Sequence, residues 1–355
     1  MNIDEKYMRR CLQLASKGRG YVSPNPMVGA VIVHDGKIIG EGYHRKYGEP
    51  HAEVNAVNSV KRKDLLTESV MYVSLEPCSH YGKTPPCAKL IIDMQIPKVV
   101  IAVTDPFPQV DGGGIKMLVD AGVEVVIGVL EQESKELNKE FFSRQVRQRP
   151  YIYLKWAQSR DGFIDKIRQD DEPRIPTPIS NSFTKMLVHK KRAEMSAIMI
   201  GTNTALNDNP SLTTRLWYGK NPVRVVLDRN LKIPETNNIY DNSAQTLIFT
   251  ESVDKITEKK NTTLIPVVFD DSLLPNLLSA LNNYKIDSLL VEGGRQVLES
   301  FIVCGLWDEA FVEIAELYFK QGISAPDING SVISDETQYG ARLIHLRNFE
   351  NHNFL

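Results

Sequence analysis

The chain has 355 residues, 42% of them hydrophobic and 24% charged, which is enough apolar material to build two domains of ordinary size. With 42 Lys and Arg against 44 Asp and Glu the formal net charge is −2, which argues against strong sequence-independent binding to nucleic acid. No apolar run reaches the ~20 residues that cross a bilayer. The first ten residues lack the apolar stretch of a signal peptide, and four cysteines do not make a disulfide scaffold, so a cytoplasmic setting with reduced thiols is expected.

In chain order, the first half alternates helix and strand. Asp4 is placed to cap a helix in which Met8, Cys11, Leu12 and Ala15 recur at helical spacing. Val28–Val33 and Lys37–Gly42 read as strands joined by the turn Asp35-Gly36. A helix from about His51 turns Val54 and Val57 inward. A strand over Val70–Ser74, a loop rich in Pro and Gly, and a helix over about Cys87–Asp93 follow. Strand Val99–Val103, helix Ile115–Ala121 and strand Val123–Ile127 complete the pattern, and one polar helix spans roughly Glu131–Val146. Pro150 stops that helix, so the boundary falls there, with domains 1–146 and 150–355.

The second half opens on the strand Tyr151–Ala157. Gln169–Pro178 reads as a proline-rich surface loop. Helix Asn181–Arg192 and strands Ala197–Gly201, Val223–Asp228, Thr246–Thr250 and Leu264–Phe269 come next. Helix Leu273–Asn282, strand Ser288–Val291, helix Arg295–Cys304 and strand Ala310–Ile314 finish the series. No internal repeat or low-complexity segment interrupts it. Such alternation predicts α/β domains, each a sheet covered by helices.

The strongest chemical signal is His51-Ala52-Glu53, followed by Glu76-Pro77-Cys78 and Pro85-Pro86-Cys87. One imidazole and two thiolates, from His51, Cys78 and Cys87, are three protein ligands. A catalytic zinc uses three and keeps a fourth position open, whereas a structural zinc uses four. Two thiolates cancel the charge of Zn²⁺, so the site needs a proton acceptor at hand, and Glu53 is placed to be one. His51 and Glu53, two apart, would not share a face inside a helix. They converge only on a metal lying off the helix N-terminus. Cys87 also opens a helix, where a thiolate is favoured.

The pattern resembles the zinc nucleobase-deaminase signature H-x-E…P-C-x-x-C, with eight residues instead of two between the cysteines. That insert, 79–86, is similar to the one that marks the riboflavin-biosynthesis deaminases. Pro24-Asn25-Pro26-Met27-Val28-Gly29-Ala30, Gly42-Tyr43-His44, and Asp105-Pro106 with Gly112-Gly113-Gly114 look like the same family's landmarks. Resemblance to the bifunctional riboflavin deaminase–reductase family then covers essentially the whole chain. It implies that Asn25, His44 and the Lys83/Thr84 loop contact the substrate. Taken from the residues alone, Asn25 also fits a turn and His44 a surface position. Asp111 to Gly114 fits either a phosphate loop or a flexible lead into a helix.

In the second half, Glu292-Gly293-Gly294 lies between a strand and a helix, where glycines admit a pyrophosphate to the helix N-terminus or simply shape a turn. The stretch from Lys155 to Gly162, Gly201-Thr202-Asn203-Thr204, Asp208-Asn209-Pro210-Ser211-Leu212 and Arg215 are similar to the reductase domains of the family. The resemblance implies that Ala157, Thr204, Asp208, Gly294, Arg295, Gln296, Val297, Leu298, Glu299 and Ser300 face NADPH. It implies further that Lys155, Arg192, Leu212, Arg215 and Glu292 face a ribose phosphate, and the two arginines are the type that grips phosphate bidentately. Arg160, Pro176 and Pro178 depart from the family pattern.

The fold implied is a cytidine-deaminase-like three-layer α/β/α domain followed by a dihydrofolate-reductase-like α/β domain. The chemistry implied is zinc-dependent deamination of a phosphoribosylamino-pyrimidine, with one zinc ion per chain, then NADPH-dependent reduction of its ribosyl group to ribityl. Partners expected are that phosphorylated small molecule and further copies of the chain, with no nucleic acid and no membrane. Two other classes remain open on the residues alone. A nucleic-acid deaminase would want a basic, aromatic-lined groove, and a non-catalytic zinc protein would want a fourth ligand.

Overall fold

The computed structural model describes residues 2–81, 85–106, 112–168, 175–252 and 260–349. Two compact units divide between Gln148 and Arg149.

The first unit begins with α1 (Ile3–Ala15), capped by Asn2 instead of Asp4: the Asn2 side chain accepts the Asp4 N–H, the usual geometry of an N-cap. Strands β1 (Gly29–His34) and β2 (Lys37–Tyr43) pair through Asp35 and Gly36, whose φ of 46° and 70° make the left-handed two-residue hairpin turn. α2 (Ala52–Ser59), β3 (Val70–Val73), α3 (Cys87–Asp93), β4 (Lys98–Ile101), α4 (Gly113–Asp120) and β5 (Glu124–Ile127) follow. The sheet order is β2-β1-β3-β4-β5, with β3, β4 and β5 parallel.

Alternate residues of these strands feed two cores. Val31, Val33, Tyr72 and Val100 pack under Tyr7, Met8, Cys11 and Leu14 of α1. Ala30, Ile32, Met71 and Val99 pack under Ala56, Ile91 and Leu118 of α2, α3 and α4. Burial on both faces explains the nearly unbroken apolar runs, and the result is the expected three-layer α/β/α arrangement. In α2 the buried stripe is Ala52, Glu53, Ala56 and Val57, and Val54 is only half-buried.

The single polar helix expected over 131–146 is two, α5 (Glu131–Leu137) and α6 (Lys139–Arg147). The break is at Asn138, whose side chain accepts from Met27 N at 2.7 Å and donates to Met27 O at 3.0 Å. That buried bond pair satisfies two backbone groups of another segment, and it outweighs helix continuity.

The second unit contains β6 (Tyr151–Ser159), β7 (Phe163–Asp165), α7 (Ser182–Glu194), β8 (Ala197–Gly201), α8 (Thr202–Asp208), β9 (Val223–Leu227), β10 (Thr246–Thr250) and β11 (Thr262–Pro266). α9 (Leu273–Asn283), β12 (Ser288–Val291), α10 (Arg295–Val303), β13 (Glu309–Ala315), β14 (Ile323–Ser324), β15 (Ser331–Gln338) and β16 (Ala341–Arg347) complete it. The large sheet runs β11-β10-β9-β8-β12-β6-β13-β16-β15, parallel from β11 to β13 and antiparallel in the last two pairs. Ile152, Leu154, Leu289 and Val291 face Leu277, Leu281 and Phe301 of α9 and α10. Tyr153, Ile198 and Leu290 face the opposite core with Leu212 and Ile239. The parallel strands deliver their carboxyl ends to one edge, where α/β sheets bind ligands. Among the described residues no helix is long and apolar enough to cross a membrane.

Candidate active sites

α2 starts one residue after His51, which is its N-cap in an extended conformation (φ −69°, ψ 168°). The imidazole therefore stands off the helix end while Glu53 lies in the first turn. Cys87 is the first residue of α3, and its N–H donates to Cys78 Sγ at 3.3 Å. His51 Nδ1 lies 3.7 Å from Cys78 Sγ and 3.4 Å from Cys87 Sγ, and the three ligand atoms fall within 4.8 Å of one another. Donors at metal–ligand bonds of ~2.0–2.3 Å are separated by about these distances in a tetrahedral set, so the residues fit a zinc ion. The hydrogen bond from the Cys87 side chain pulls the Cys78 thiol well below its ordinary value, burial opposing and His51 adding to the pull. Glu53 is 3% exposed beside this group. Burial pushes its carboxyl up, with His51 pulling the other way.

Two further features set this geometry. A Cβ on Gly42 of β2 would lie 2.3 Å from Ala56 N, so only glycine lets α2 pack this close and bring its N-terminus to the cysteines. Glu76, 3% exposed, accepts four backbone N–H groups: Asp105 and Gly112 at Oε2, both 3.2 Å, and Gly114 and Ile115 at Oε1, 3.0 and 3.2 Å. All acceptor sites of one carboxylate are filled by this clip, two residues before Cys78. Of the two readings of 111–114, the lead into a helix fits, because Glu76 takes the Gly112, Gly114 and Ile115 amides at the start of α4. Asp111 itself, like Lys83 and Thr84, lies outside the described residues.

Asn25 and His44 meet next to His51. The Asn25 amide nitrogen is 3.2 Å from His44 Nε2, and His44 Nδ1 is 3.2 Å from the Pro50 carbonyl. A carbonyl only accepts, so Nδ1 carries the hydrogen and Nε2 accepts from Asn25, an assignment made from the network. The His44 ring stands edge-on to His51 with centroids 5.4 Å apart. At 3% exposure it is not a surface histidine, and burial holds its pKa down, the Pro50 bond opposing.

In the second unit a cleft of about 1420 Å³ opens along the carboxyl ends of the parallel strands. Lys155, Ala157, Arg192, Thr204, Asp208, Leu212, Arg215, Glu292 and Gly294 line it, with Arg295, Gln296, Val297, Leu298 and Ser300 from the start of α10. Glu299 is not among the lining residues. It accepts from Arg295 Nε at 2.6 Å one helical turn away. Leu212 has φ 54° and a side chain 1% exposed in the core, so what it offers the cleft is backbone.

Arg192 departs most from expectation: its fork is bidentate with Glu292, Nε to Oε1 at 3.0 Å and Nη2 to Oε2 at 2.6 Å, instead of standing free for a phosphate. Arg215 is exposed and donates through Nη1 to Thr213 Oγ1 at 3.2 Å. Its backbone N–H goes to His189 Nδ1 at 3.0 Å, and burial together with Arg192 and Arg215 holds that histidine down to about 4. Lys155 is half-buried, and burial lowers its pKa against Glu292 and Glu313, which raise it. Asp208 is pushed up to about 6 by burial and Asp165, Arg168 opposing.

Of the departures noted in sequence, Pro176 and Pro178 line the cleft, whereas Arg160 pairs with Glu316 on the surface. Residues the motifs did not flag also line it. Arg229 is held through Nε by Glu251 at 2.6 Å, and Lys232 and Phe269 stand nearby on the same carboxyl edge. Asp228, beside them, is consumed by the Lys232 and Ile233 N–H groups.

Comparison with known proteins matches both units. The profile described as the cytidine and deoxycytidylate deaminase zinc-binding region matches residues 1–103, and that described as the RibD C-terminal domain matches 150–318. The riboflavin biosynthesis protein RibD of Aquifex aeolicus is 40% identical over 332 residues, covering 92% of this chain and 90% of that one. This chain belongs to the RibD family. Escherichia coli RibD is 37% identical over 327 residues, covering 88% and 87% of the two chains. Among solved structures, the diaminohydroxyphosphoribosylaminopyrimidine deaminase/5-amino-6-(5-phosphoribosylamino)uracil reductase of Thermotoga maritima superposes with a TM-score of 0.86 at 36% identity, covering 98% and 99%. Acinetobacter baumannii RibD gives 0.88 at 31%, covering 97% and 98%. Like other RibD chains, this one joins a zinc-binding deaminase domain to a reductase domain.

Proposed function

We propose that residues 1–146 and 150–355 of this bifunctional riboflavin-biosynthesis enzyme act in turn on one phosphorylated pyrimidine, deamination first and reduction of the ribosyl group second. The observation that carries the first step is the convergence of His51, Cys78 and Cys87 beside a buried carboxylate. Zinc supplies Lewis acidity that makes water a nucleophile near neutral pH. Glu53, its carboxyl raised by burial, suits transfer of a proton from water to the departing amine. Asn25 and the neutral His44 present an amide and an imidazole to the pyrimidine from the neighbouring wall.

For the second step NADPH supplies the hydride, so the protein's work is orientation and charge. Gly294, with φ 53°, and the first turn of α10 suit a pyrophosphate, because backbone N–H groups and the helix dipole point the same way. Lys155 and Arg215 are the cations of the cleft that suit the ribose phosphate. Arg192, locked to Glu292, shapes that end of the cleft. We also infer that the enzyme works in the cytoplasm as an assembly of identical chains, which light scattering would check.

Ammonia release by zinc-loaded wild type and Glu53→Ala tests the deaminase assignment. A loss of at least ~100-fold is expected for removal of a general acid–base. Equal rates would remove Glu53 from the chemistry.

A further inference from the structure

Two carboxylates act electrostatically on Lys155, Glu292 and Glu313, with Arg192 acting against them. Glu292 already holds Arg192 through both oxygens, one bond to each. Glu313 is different. It is 4% exposed on β13, its Oε2 accepts from Ser180 Oγ at 2.7 Å, and its Oε1 is buried with no hydrogen-bond partner. Lys155, in turn, takes no hydrogen-bond or ion-pair partner among the described residues.

Register places the two side chains on one face of the sheet, although no ion pair joins them. In the parallel pair of β6 with β13, Phe311 is the partner of Lys155 and Glu313 that of Ala157. Side chains two apart share a face, so Lys155 and Glu313 are diagonal neighbours there, within reach of long side chains. The stacked rings of Tyr153 and Phe311, 6.0 Å apart, mark the same face one step earlier. Lys155 and Ser180 line the reductase cleft, and Glu313 reaches it through its bond from Ser180. A buried carboxylate oxygen without a donor is costly to keep, and a half-buried ammonium without an acceptor is its complement.

We propose that Glu313 is a positioning residue of the reductase site, holding the Lys155 ammonium charged and aimed into the cleft for the phosphorylated substrate. The proposal rests on Lys155 working in that site. It adds a carboxylate that no motif in the sequence announces.

The test is the pH dependence of kcat/KM for NADPH-dependent reduction of the deaminated substrate by the full chain. Glu313→Gln keeps the size and an acceptor for Ser180 but removes the charge. Losing a nearby negative charge disfavours the ammonium, so its pKa falls and activity that needs it protonated is lost at lower pH as pH rises. The alkaline limb should move down by about one pH unit. Ser180→Ala should leave that limb in place. A Glu313→Gln profile that overlays wild type would overturn the proposal. So would a Ser180→Ala profile shifted like that of Glu313→Gln, since anchoring of Ser180 would then explain the effect. Lys155→Met separates the two levels: full activity in that variant would overturn the site assignment itself, and the role of Glu313 with it.

Discussion

Glu76 and Glu53 are both carboxylates of the first unit buried to the same 3% exposure, yet they do different work. Burial pushes Glu53 toward its protonated form, with His51 opposing, whereas Glu76 is saturated by four N–H groups. An amide in place of Glu76 can accept at one atom only and turns two donors against donors. Glu76→Gln should therefore destabilise the first unit by about 2–5 kcal/mol, which denaturant midpoints would read. Its cobalt-substituted form should also show altered sulfur-to-metal absorption, because Cys78 follows two residues later. The ligands themselves were legible in sequence, since His, Cys and Cys with those prolines have few other uses. The partners of Arg192 and the orphan oxygen of Glu313 were not, because ion pairs 100 residues apart in the chain leave no local pattern.

Among elements, most of those with a buried face were readable to within a residue or two, and α3, β8, β10 and β12 match their expected spans, whereas β11 ends three residues before the expected Phe269. The hairpin of β15 and β16 has little signature in the sequence. β15 (SVISDETQ) is mostly exposed and polar, and its turn uses Tyr339 and Gly340, with φ 55° and 75°, instead of an Asn-Gly pair. α8 is silent for another reason: seven residues of polar character following β8 at once carry too little periodicity. Close approach between elements is equally silent in sequence. Gly42→Ala would force α2 off β2, and overpacking of this kind costs about 1–3 kcal/mol. Expected outcomes are a lower melting temperature and weaker zinc retention, measured by calorimetry and metal analysis.

At the scale of the whole molecule the chain is two units, each with its own core and its own site. Metal donors lie in the first unit and the cleft in the second. Stripping zinc with a chelator should abolish ammonia release while NADPH oxidation with the deaminated substrate stays within about twofold. Loss of both activities would mean that the units are not independent. The two-unit plan was visible in the sequence because Pro150 ends one pattern just before an apolar strand starts another. The cleft was visible only through family likeness, since its residues come from eight or more separate segments.

The break at Asn138 has a practical consequence for dissecting the enzyme. Its side chain braces the peptide of Met27, two residues from Asn25, from a point well past residue 103, where the deaminase profile stops matching. A fragment trimmed to that profile would leave the Asn25 loop without its backstop. An autonomous front half must run through the last helix before the linker, and a shorter piece should bind zinc yet accept its pyrimidine poorly.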